Sequence, residues 1–100
     1  MNLPSTFRLL DLSTAHVPKH TGIALGLNKD CSNAALADEL VYEFWAEYGW
    51  IIQVTTELSV VAEEHPELQA LLEHCAKHEI SYLKLDCDAP TLDGFPVFTW

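Results

Sequence analysis

Short apolar runs broken by polar clusters mark most of the chain. Phe7-Arg8-Leu9-Leu10-Asp11-Leu12 is rich in bulky apolar residues and closes on Ser13-Thr14, which predicts a first strand. From Ser13 to Lys29 the pattern weakens. Pro18 suits the opening of a helical turn, whereas Gly22 and Gly26 each cost a helix interior about 1 kcal/mol. A loop with at most one short helix is expected there. Ser32 then offers an N-cap, and Ala37, Leu40, Val41, Phe44 and Tyr48 recur at steps of three and four before Gly49. This spacing predicts a helix over 33–48. Its rival is a hairpin in which Leu40 to Tyr48 is a strand turning at Gly49-Trp50, favoured by aromatic and β-branched content.

Trp50 to Thr55 reads as a strand, and Glu57 to Glu64 has no clear period. Pro66 fits a first helical position, and Leu68, Leu71, Leu72, Cys75 and Ala76 predict an amphipathic helix to about His78. Glu63, Glu64 and Glu67 stand at its start, where negative charge suits the helix dipole. Ser81 to Asp86 predicts a third strand. The ending from Asp93-Gly94 to Trp100 opens on a turn signal and carries aromatics. It is expected to fold back on the body, as an edge strand tolerant of Pro96. The order strand, helix, strand, helix, strand describes a single α/β domain over residues 1–100. Its architecture is a small two-layer sandwich, with a three- to four-stranded sheet packed by two main helices.

Charge narrows the function. Fifteen Asp and Glu against five Lys and Arg give a formal charge of -10. Such a surface repels phosphate backbones and anionic membranes, so direct nucleic-acid binding is not expected and a basic protein partner or a cation is. No apolar run is long enough to cross a bilayer, and the opening residues lack an export pattern. Cys31, Cys75 and Cys87 form no paired motif, which points to reduced thiols and a cytoplasmic location.

Four constellations bear on chemistry. On a helix over 33–48, Glu39, Glu43 and Glu47 form an acidic stripe with Asp38 on the other flank. That stripe repeats at about 6 Å, near the phosphate spacing of a nucleic-acid strand. A solvated face is the plainer account. His74 and His78 are four apart, with Glu67 near the same face. Two imidazoles at that spacing can share Zn²⁺, although a full site needs two more ligands and ordinary surface histidines are the commoner case. If the first and third strands run parallel, Ser13, Thr14 and His16 share an edge with Asp86 and Asp88, where ligands gather in open α/β sheets. These groups could hold Mg²⁺ or act as acid and base, or they cap turns. Trp45, off the main apolar stripe, is the best partner-binding aromatic. Neither a phosphate-binding glycine loop nor a nucleophile elbow is present, and no cofactor is implied.

The run Asp11-Leu12-Ser13-Thr14-Ala15-His16, the turn Tyr48-Gly49-Trp50 and the ending Leu85-Asp86-Cys87-Asp88…Leu92-Asp93-Gly94-Phe95-Pro96-Val97-Phe98-Thr99-Trp100 resemble a family of small uncharacterised proteins from bacterial plasmids, phages and genomic islands. The chain departs from that pattern at Cys87 and Ala89, where a basic residue and glycine are expected. In that family the Tyr-Gly-aromatic run looks like strand-turn-strand. The resemblance implies a mobile-element setting but carries no established activity; by analogy, an acidic protein in that setting suits a counter-defence role, anti-CRISPR or antirestriction. Combined with the charge, the expectation is a non-enzymatic inhibitor that mimics nucleic-acid charge on a host nucleic-acid-handling protein. The alternatives are a small metal-dependent enzyme or metal-binding protein built on His16, Asp86 and Asp88, and a self-associating structural partner.

Overall fold

The computed structural model describes residues 7–26, 40–45, 49–55 and 58–99. Its strands are β1 (Leu9–Ser13), β2 (Tyr42–Trp45), β3 (Gly49–Gln53) and β4 (Tyr82–Asp86). Its helices are α1 (Lys19–Ala24), α2 (Ser59–Glu64) and α3 (Pro66–Lys77), with a 3-10 turn over Thr14–His16. The sheet order is β1-β4-β3-β2, with β1 and β4 parallel and the other pairs antiparallel. A two-layer α/β sandwich results.

Alternation decides the layers. Register sets Leu10 beside Leu83, Leu12 beside Leu85, and Trp50 and Ile52 beside the same two leucines. These side chains share one sheet face and join Val61, Leu68, Leu71, Leu72 and Cys75 of the helices in a single core. The other face carries Asp11, Glu43, Gln53 and Lys84.

Residues 42–45 are strand, so the helix expected over 33–48 is wrong there. The rival is right in pairing this stretch as an antiparallel hairpin, but Gly49 and Trp50 already belong to β3 and are not the turn it expected. The helical spacing of Leu40, Val41 and Phe44 is also satisfied by a strand that points Tyr42 and Phe44 to the helix-covered face, opposite Ile52 and Trp50. Three of the four residues of β2 are aromatic, and aromatics favour a pleated surface. Gly49 starts β3 because a Cβ there would lie 1.6 Å from the Leu85 carbonyl oxygen. The C-terminal segment does fold back, but as an extended loop and not as an edge strand. Helix α2 fills the stretch without a clear period.

Candidate functional site

Parallel pairing of β1 with β4 puts Ser13 opposite Asp86 at the shared carboxyl edge. Ser13 Oγ accepts from the Ala15 amide at 3.1 Å, capping the 3-10 turn that carries His16. The Ser13 amide donates to Pro90 O at 2.9 Å, which draws the C-terminal segment across the edge.

His16 is fully buried. Its Nδ1 lies 2.9 Å from Pro96 O and its Nε2 lies 2.7 Å from the Leu92 amide. A carbonyl only accepts and an amide N–H only donates, so the ring is the neutral Nδ1–H tautomer with both nitrogens committed. The Phe98 backbone N–H donates a further hydrogen bond to Ala15 O at 2.7 Å. The Phe95 ring meets His16 edge-on at 6.1 Å and His74 at 5.2 Å.

Asp86 is equally engaged. One carboxylate oxygen accepts from the Asp88 amide at 2.9 Å, an Asx turn, and the other pairs with Lys84 Nζ at 3.6 Å. The Asp86, Cys87 and Asp88 ligand atoms lie within 4.8 Å of one another. Carboxylates suit hard cations and a thiol suits soft ones, so this trio is a mixed donor set. Desolvation raises the Cys87 thiol pKa, and the adjoining Asp88 and Asp86 raise it further, which disfavours the thiolate a metal needs. Cys75, inside the core, is pushed up to about 11 by burial.

On α3 the His74 and His78 rings stand 4.5 Å apart, tilted by 52°. Desolvation lowers the His74 pKa, helped by the nearby His78 and Lys77 charges, and favours its neutral form. Thus Phe95 joins two constellations that looked separate in sequence, the sheet edge and the histidine pair.

Of the acidic stripe, Glu43 is an exposed residue of β2, and Asp38, Glu39 and Glu47 lie outside the described residues. Trp45 ends β2. Phe44, beside Glu43 on this edge strand, is 49% exposed, and Val41 just before the strand is 66% exposed. A cleft of about 460 Å³ at the other end of β4, lined by Phe7, Gln53, Val54, Ile80 and Tyr82, takes in none of the expected site residues.

One cluster had no sequence signal. Buried His65, between α2 and α3, bonds Thr21 Oγ1 through Nδ1 at 2.8 Å, and among the described residues its Nε2 has no hydrogen-bond partner. His20 stacks on it at 5.2 Å and donates to Glu64 O. Burial lowers the His65 pKa and His20 adds to that effect, while Glu64 and Glu67 oppose it.

The model of a family of unknown function (DUF5983), C-terminal domain, matches residues 9–100. No curated protein and no solved structure matches the chain. Among the described residues, no helix is long and apolar enough to cross a membrane.

Proposed function

The chain belongs to the DUF5983 family of unknown function, which supplies no activity to transfer, and we propose that it is a non-enzymatic module binding a basic protein surface through the β2 edge. The carrying observation is the exposure of Phe44 and Glu43, one on each face of the short edge strand β2, with exposed Val41 just before it. Apolar anchors supply contact area, and an acidic surround selects a cationic partner and speeds encounter. Lys84 pairs with Asp86, and the exposed carboxylates of Glu43 and Glu63 contribute negative charge that acts at long range.

In its finer form the partner is a host nuclease or CRISPR complex, and the module competes there with nucleic acid in a mobile-element setting. The negative charge and the family resemblance support that form. A metal enzyme at the sheet edge draws little support, because His16 and Asp86 already spend their polar atoms on the fold.

Affinity capture at low and at high salt, followed by binding measurements on the recovered partner, tests the reading. Phe44→Ser with Glu43→Lys is expected to weaken binding strongly, and Glu63→Lys on α2 to weaken it slightly. Charge screening within about 8–10 Å makes salt weaken all of them. Equal affinity for the double variant and the parent would remove the β2 edge from the proposal.

A further inference from the structure

The geometry of α3 points to a metal site that lies apart from the β2 edge. We propose that His74 and His78 form a two-imidazole site for one borderline divalent cation of the Zn²⁺, Ni²⁺ or Cu²⁺ class.

Residues four apart on a helix stand one above the other, so their side chains can reach a common point. Two imidazoles that each bind an ion through one nitrogen at 2.0–2.1 Å, with a right or tetrahedral angle at the ion, hold their ring centres roughly 4.5–5 Å apart. The observed separation is 4.5 Å, at the right-angle end of that range. The rings are tilted by 52° and not stacked flat, an arrangement open to two ligands of one ion. By contrast, the His20 and His65 rings are stacked at 21°, and His20 Nε2 and His65 Nδ1 are already engaged by Glu64 O and Thr21 Oγ1.

Preorganisation is the second, independent observation. Phe95 packs edge-on against His74, and the segment bearing Phe95 is fixed by the His16 bonds to Leu92 and Pro96. One ligand is therefore held in place before any ion arrives, which reduces the ordering cost of binding. Among the described residues no hydrogen bond engages a ring nitrogen of either His74 or His78, so neither must be broken. Imidazole nitrogen suits zinc, nickel and copper better than magnesium or calcium. The other positions on the ion face solvent, since His78 is exposed.

Isothermal titration of the full chain with Zn²⁺, in a background carrying Cys31→Ser and Cys87→Ser, tests the site. Binding of one ion per chain is expected, with His74→Ala and His78→Ala each weakening it roughly tenfold or more. Asp86→Asn with Asp88→Asn should leave it unchanged. The His78 side chain is exposed and its removal is not expected to unfold the helix, which circular dichroism checks. Addition of Cu²⁺ should broaden the ring resonances of His74 and His78 before those of His16, His20 and His65. Zinc affinity that survives both histidine variants, or the absence of any Zn²⁺ or Ni²⁺ binding to the parent chain at millimolar ion, overturns the proposal.

Discussion

Replacing His16 with alanine separates a structural role from a reactive one. The substitution removes the acceptor for the Leu92 amide at 2.7 Å and the donor to Pro96 O at 2.9 Å, together with a fully buried ring. A buried polar group left without a partner costs about 1–3 kcal/mol, and emptying a large buried site adds a cavity cost of about 3–5 kcal/mol. Those sums are a ceiling, because the C-terminal segment can lift away and return Leu92 and Pro96 to water. A net loss of about 3 kcal/mol is therefore expected, equivalent to roughly 10–20 °C in Tm for a domain of this size. Urea unfolding followed by circular dichroism measures it. Amide exchange at Leu92 and Phe98 should accelerate more than exchange in β3, since the loss is local to the clamp. Two partial replacements sharpen the test. His16→Asn keeps a donor near the Nδ1 position and His16→Gln an acceptor near Nε2, so each should recover part of the loss. A His16→Ala protein within about 0.5 kcal/mol of the parent, with the Leu92 and Phe98 amides still protected, would refute the clamp.

Gly49→Ala should cost about 3 kcal/mol or more in urea unfolding, because the added Cβ would meet main-chain atoms of Leu85 that cannot rotate aside. Gly94→Ala meets nothing within 4 Å and pays only for its φ of 94°, so about 1 kcal/mol is expected. Acid titration of stability reads His65. Its pKa is lowered in the fold, so its contribution is complete above the unfolded value near 6.5 and falls as pH drops from there toward the folded pKa. His65→Gln should flatten that part of the curve, and an unchanged slope would assign the effect to other groups. Thiol labelling in a Cys31→Ser background should reach exposed Cys87 and spare buried Cys75 until unfolding. Because the flanking aspartates raise the Cys87 pKa, Asp86→Asn with Asp88→Asn should speed labelling near neutral pH. Rapid native labelling of Cys75 would contradict its burial.

Much of the framework is written in local pattern. Strands β1, β3 and β4 and helix α3 follow from apolar runs, β-branched content and Pro66, within a residue or two of their ends. β2 is ambiguous in sequence because Leu40 and Phe44 fit both a helical step of four and a strand alternation through Tyr42, and pairing with β3 resolves it. Helix α1 is the one short helix that the stretch from Ser13 to Lys29 allows, and it tolerates Gly22 because Thr21 and Ala24 pack inward and burial outweighs the intrinsic penalty. The shared edge of Ser13 and Asp86 was legible once parallel pairing was assumed. What His16 does there was not. Its partners are backbone atoms 76 and 80 positions away, and a main-chain N–H or C=O leaves no signature in residue identity. The contact between Thr21 and His65, 44 residues apart, was hidden for a different reason: nothing local reports which helices will meet.

The carboxyl edge of a parallel pair is where an open α/β sheet usually receives a ligand. In this chain, residues 90–98 lie over part of that edge, through Pro90 to Ser13, Leu92 and Pro96 to His16, and Phe98 to Ala15. The two segments so joined are also two of the islands on which the family resemblance rests, Asp11 to His16 and Leu92 to Phe98. One half supplies a buried imidazole, and the other supplies the carbonyl and amide that complete it. Likeness in both places is what a shared clamp requires, whatever the protein binds. Those motifs therefore speak for a common fold and are weak grounds for a common partner. On the proposed binding reading, selectivity falls to residues the clamp leaves exposed, chiefly Glu43 and Phe44 on β2 and the preceding Val41, which lie outside both motifs.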